Sequence, residues 1–148
     1  MKKSIFDYLR FLLGERKKEK STGVQLNNED IEMLRFRLAD LMDHKRPFLQ
    51  KGYHIKDMAS DIQVPVHQLS AFINQVIGMH YSDYMNSHRI KYCENLIGTE
   101  LTSKPDLNDL ADKSGFSNRN SFTTAFKKFT GQKPFEYIKH RYTRISQG

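Results

Sequence analysis

The sequence predicts an all-α fold of two helix-turn-helix units joined by a linker helix. Three observations carry that reading. No stretch alternates apolar and polar residues in the way a half-buried strand requires. Apolar residues recur instead at helical spacing, most clearly at Phe122, Ala125, Phe126 and Phe129. And one pattern of short helix, turn and amphipathic helix occurs twice. Ile55-Lys56-Asp57-Met58-Ala59 matches Leu107-Asn108-Asp109-Leu110-Ala111, 52 positions later. Leu69-Ser70-Ala71-Phe72-Ile73 matches Phe122-Thr123-Thr124-Ala125-Phe126 at an offset of 53, as Gly78 matches Gly131 and Tyr84 matches Tyr137. The second turn is therefore one residue longer than the first.

The elements follow in order. Residues 1–27 read as a tail and linker. Ile5, Tyr8, Leu9 and Leu12 form one face of a short helix, followed by a charged run and Ser21-Thr22-Gly23. Docking on a partner or second copy, anchoring at a membrane surface, and the frayed end of a larger parent protein all fit that pattern. Residues 28–98 hold the first helix-turn-helix and the linker helix. Asn28 is placed to cap a helix with Glu29 and Asp30 in its first turn and a stripe of Ile31, Leu34, Leu38, Leu41 and Met42. That helix must end before Pro47. The first unit spans helices near 55–62 and 66–76, with a turn at Gln63-Val64-Pro65. Leu69, Phe72, Ile73 and Val76 face inward there, and His67, Ser70, Ala71 and Asn74 outward.

Ser82 is a cap for the linker helix, which runs through Met85, Ile90, Cys93 and Ile97 and measures roughly 25–33 Å at ~1.5 Å per residue. Gly98 and Gly115 are stop signals, and Pro105 bars passage beyond Lys104. Residues 99–148 hold the second unit, with its paired helices at about 107–130 and a last helix opening at Pro134 with Glu136 in its first turn.

Charge narrows the function. The chain carries 24 Lys and Arg against 17 Asp and Glu, net +7. Residues 55–114 are net −3, whereas residues 115–148 hold seven basic groups and one acidic, net +6. No carboxylate lies between Gly115 and Lys133. Asn120, Thr123, Thr124 and Lys127 share the side of their helix opposite the phenylalanines, a face suited to phosphates and base edges. The single cysteine, Cys93, lies on the linker helix's apolar stripe and reads as a packed core thiol in a reducing compartment. The six histidines are scattered, so no metal or other cofactor is expected. No phosphate loop, activated nucleophile or paired carboxylates suggest an enzyme. No signal peptide is evident, and a cytoplasmic location is expected.

These residues resemble a known family. From about Asn28 to Tyr142 the chain is similar to the homeodomain-like DNA-binding domain of AraC/XylS-type transcription regulators. The second half carries Leu110-Ala111, Gly115-Phe116, Ser121-Phe122, Phe126-Lys127-Lys128, Gly131, Pro134 and Tyr137 in the family's order. The first half resembles the Bacteroidetes-type variety at Lys45-Arg46-Pro47-Phe48-Leu49, Leu69-Ser70, Ile73-Asn74, Gly78, Tyr84-Met85-Asn86 and Arg89-Ile90. The resemblance implies a sequence-specific regulator of bacterial promoters, an activator working with RNA polymerase, whose two recognition helices enter successive major grooves. It implies base reading by His67, Ser70 and Ala71, and by Arg119, Asn120, Thr123 and Thr124. Gln68, Asn74, Ser121, Lys127 and Lys128 complete the candidate DNA-binding set. Where many members carry arginine this chain has Ala71 and Thr124, neither of which makes a bidentate guanine contact. Members also carry a sensor domain, which the 27 residues before Asn28 are too few to form. Two other readings follow: an output module of a larger sensor or membrane protein, and a protein-interaction module without DNA readout.

Overall fold

The computed structural model describes residues 23–99 and 105–146, with side chains up to Thr143. All of its regular structure is helical. The expectations for the tail and for Lys104 lie outside the described residues. The described residues divide into two compact units, with the boundary between Met85 and Asn86.

In the first unit, α1 spans Asn28–His44. Its cap is Asn27 rather than Asn28: the Asn27 side chain accepts from the Asp30 amide at 2.8 Å. Glu29 and Asp30 then sit in the first turn, at the positive end of the helix dipole. Leu34, Leu38, Leu41 and Met42 form the buried stripe. The helix ends as expected before Pro47. Arg46 takes a left-handed conformation (φ 50°), and a 3-10 turn follows at Pro47–Leu49. Helix α2 covers Ile55–Asp61, and α3 covers Val66–Ala71. α3 continues as a π-helical turn, Phe72–Ile77, which ends at Gly78 with φ 83°.

Side chains of α1 and its C-terminus hold the end of α2. The Arg37 guanidinium donates to the Ile62 carbonyl at 2.7 Å. Asp61 accepts from both Lys45 Nζ and the Tyr53 hydroxyl. Those two hydrogen bonds, Lys45's first, hold the Asp61 carboxyl below its ordinary range.

Helix α4, Tyr81–Thr99, crosses the boundary between the units; its 19 residues span about 28 Å at ~1.5 Å per residue. It begins one residue before Ser82, which therefore lies inside the first turn. Gly98 does not stop it. A helical glycine is tolerated there, and an added Cβ would lie 2.9 Å from the Arg141 guanidinium.

In the second unit, α5 spans Leu107–Lys113, α6 spans Arg119–Thr130 and α7 spans Pro134–Ser146. The Asp106 side chain caps α5 through the Asn108 amide at 2.8 Å. Four residues separate α2 from α3 and five separate α5 from α6, the difference the repeat offsets predict. The core contains a row of edge-to-face rings. Phe116, Phe122, Phe126 and Tyr137 follow one another at centroid distances of 5.5, 5.5 and 5.2 Å. The Tyr137 hydroxyl donates to Glu94 of α4 at 3.0 Å. At the other end of the row the Arg89 guanidinium lies 5.5 Å from the Phe116 centroid, which gives this residue a packing role. Cys93 is fully buried, as its stripe suggested, and burial pushes its thiol up to about 11.

Candidate nucleic-acid interface

The second unit presents one continuous polar face. Helix α6 buries Phe122, Ala125, Phe126 and Phe129, which leaves the opposite side to solvent. Arg119, Asn120, Ser121, Thr124, Lys127 and Lys128 are exposed there and Thr123 is half-buried. Asn118 caps the helix by accepting from the Ser121 amide at 2.9 Å. Sequence reasoning missed this cap, although an Asn just before the first helical residue is a common start signal. Lys128 reaches to 5.8 Å from the Phe129 ring, so it leans to the flank. The turn before α6 needs a left-handed residue, and Gly115 supplies it at φ 83°.

Beside Arg119 is a hollow of about 210 Å³, lined also by Pro105, Asp106, Leu107, Phe135 and Ile138. Phe135 is 50% exposed there. The apolar spacing did not signal it, because Phe135 follows Pro134 off the buried stripe of α7.

The first unit differs on three counts. Its turn uses Gln63 where the second uses Gly115, and Gln63 is forced to φ 56°. Its recognition helix follows Pro65, which gives it no side-chain cap. Its outward face is also narrower than expected. His67 and Asn74 are exposed, Gln68 and Ser70 are half-buried, and Asn74 donates to the Ser70 hydroxyl at 3.3 Å. Ala71 lies on the outward side but is not open to solvent: it is 1% exposed. Gln75, one turn on, donates to the Val24 carbonyl at 3.3 Å, so the chain entering α1 runs past this side of the helix. Ala71 is therefore corrected from an open base-reading position to a covered one.

One feature is shared by the two recognition helices. Every other described α-helix has a carboxylate in its first turn; α3 and α6 have none. Among the described residues no cluster of three metal-ligating side chains occurs, and no helix is long and apolar enough to cross a membrane.

Residues 58–140 match the family model described as a helix-turn-helix domain, more than half of the chain. The chain belongs to the AraC-type helix-turn-helix family. Solved structures of similar fold agree. The DNA-binding domain of AdpA, a global transcriptional factor crystallised with a target DNA, superposes with a TM-score of 0.62 at 17% identity, covering 78% of this chain and 97% of that one. The C-terminal domain of AraT, a response regulator from Geobacillus stearothermophilus, gives 0.59 at 22% identity, covering 79% and 88%. A Listeria innocua protein of unknown function gives 0.57 at 28% identity, covering 72% and 94%. A comparison with curated proteins finds no match. The AraC-type assignment accounts for the paired motifs and for the glycine turn before α6.

Proposed function

We propose that this protein is a sequence-specific regulator of transcription that binds double-stranded DNA through α6 and, secondarily, through α3. The observation that carries the reading is the outward face of α6. Arg119, Asn120, Thr124 and Lys127 are exposed together on a capped helix, in a stretch without a carboxylate from Gly115 to Lys133. Cations and amide or hydroxyl donors on a helix that carries no carboxylate suit a duplex, whose phosphates supply affinity and whose base edges supply selectivity. The candidate contacts are Arg119, Asn120, Ser121, Thr123, Thr124, Lys127 and Lys128 in the second unit, with His67, Gln68, Ser70 and Asn74 in the first. The AraC-type family model and the AdpA domain, solved with its target DNA, support this class of activity.

Two half-sites about one helical turn, ~34 Å, apart are expected, one for each unit. Activation through contact with RNA polymerase is the regulatory direction the family resemblance suggests. Selection of binding sites from random duplexes, followed by footprinting, tests the core of the proposal. Protection of a bipartite site that weakens steeply with salt supports it. No protection at any selected sequence, at low salt and micromolar protein, overturns it.

The likeness to the AraT response-regulator domain favours a second arrangement for the same activity, in which this domain is the output half of a sensory system. Phosphorylation-dependent or partner-dependent changes in the footprint would distinguish that arrangement.

A further inference from the structure

The two units carry the same motif but not the same open surface. Ala71 and Thr124 occupy equivalent positions, 53 residues apart, on the outward side of their recognition helices. Thr124 is exposed, while Ala71 is 1% exposed. Position in the helix does not explain the difference. At ~100° per residue Ala71 lies nearly opposite the buried trio Leu69, Phe72 and Ile73, where solvent is expected. A small side chain on that face is sealed only by something laid across it.

The hydrogen bonds show what lies alongside. The Gln75 side-chain amide, one turn beyond Ala71, donates to the Val24 carbonyl at 3.3 Å. Val24 and Leu26 are half-buried although they belong to no helix. The segment carries no charge from Gly23 to Asn28, so it gains no attraction to a phosphate backbone. Its end is fixed, because Asn27 caps α1. We propose that residues 23–27 form a strap over the Ala71–Gln75 flank of the first recognition helix, and that the strap must lift before this helix can enter a groove. The inference rests on the DNA-binding reading for its consequence, but the cover itself does not. It makes the first unit a gated reader and the second an open one. It also places the gate on the stretch of chain that leads to residues 1–22, so a partner bound there would act directly on DNA reading by the first unit.

Two measurements on the full chain test this. The first is labelling by a small maleimide of Ala71→Cys and, separately, of Thr124→Cys. Cys93 is fully buried and sets the background in the parent protein. Labelling at position 71 is expected to be about tenfold slower than at 124, since it waits for local opening of the strap. Adding Gln75→Ala should narrow that gap. Equal rates at the two positions would overturn the cover.

The second measurement is a footprint on a selected bipartite site. Gln75→Ala removes a strap hydrogen bond worth about 1 kcal/mol, which corresponds to a gain of about fivefold in affinity at the first half-site with the second unchanged. A first half-site that does not gain, beside a normally protected second one, overturns the gate alone. Absence of protection at both half-sites counts against DNA binding, and the labelling result then still decides whether the strap exists.

Discussion

The Arg37 guanidinium reaches from the middle of α1 to the Ile62 carbonyl, 25 residues on, and closes the C-terminal end of α2 at 2.7 Å. A helix of only seven residues, Ile55–Asp61, has few internal hydrogen bonds of its own. Arg37 therefore stabilises the first motif from outside it. Arg37→Ala is expected to cost about 1–2 kcal/mol in urea unfolding, since it removes a hydrogen bond from a charged donor and leaves a part-buried carbonyl unmatched. Unchanged stability would show that water replaces the interaction fully.

The two turns predict opposite responses to glycine. Gln63 sits at φ 56° and Gly115 at φ 83°, both in the left-handed region. Gln63→Gly is expected to stabilise the protein by about 1 kcal/mol, because a side chain is strained there. Gly115→Ala should destabilise it by about 1–2 kcal/mol. Thermal unfolding of the two variants checks the pair, and a loss of stability in Gln63→Gly would contradict the account.

His88 makes stability depend on pH. Burial, helped by the nearby Lys91 charge, pushes its imidazole from 6.5 down to about 4. In the unfolded chain the ring takes up a proton near its ordinary value, while the folded protein resists it. Stability is therefore full above about pH 6.5 and falls as pH drops toward 4. Relative to His88→Gln, the parent should lose about 2 kcal/mol between roughly pH 7 and pH 5. Parallel pH profiles for the two proteins would remove His88 as the cause.

Affinity for DNA should reside mainly in α6. Replacing Arg119 and Lys127 with alanine is expected to weaken binding far more than replacing His67 and Ser70. It should also lower the salt slope by about one unit for each phosphate no longer neutralised. Titrations at several salt concentrations measure both effects, and equal losses from the two pairs would contradict the ranking.

Where local chemistry decided the structure, the sequence was legible. Helix α6 could be read from its spacing because Phe122, Ala125, Phe126 and Phe129 leave no other face to bury. The extra residue in the second turn could be read from the repeat offsets alone. Caps were read less well: Asn27 and Asn28 are equally good caps by type, and only the hydrogen bond to Asp30 separates them. Gly98 misled because a glycine stops a helix only when the backbone turns left-handed, and here the helix continues to Thr99. The π-helical turn at Phe72–Ile77 has no pattern in its apolar spacing. Ala71 was the least accessible, since its cover is tied down by a bond from Gln75 to a residue 51 positions away.

The absence of a first-turn carboxylate in α3 and α6 has a thermodynamic consequence. A helix with an uncompensated positive end is less stable than its length allows, by about 0.3–1 kcal/mol for each missing countercharge. A phosphate placed at that end would act as the helix's own acidic residue. Folding of the recognition helix and capture of the duplex are then linked equilibria, and the melting temperature of the protein should rise with DNA concentration. The amides of the first turn of α6 would report that linkage, exchanging hydrogen more slowly once the duplex has become part of the helix's electrostatics.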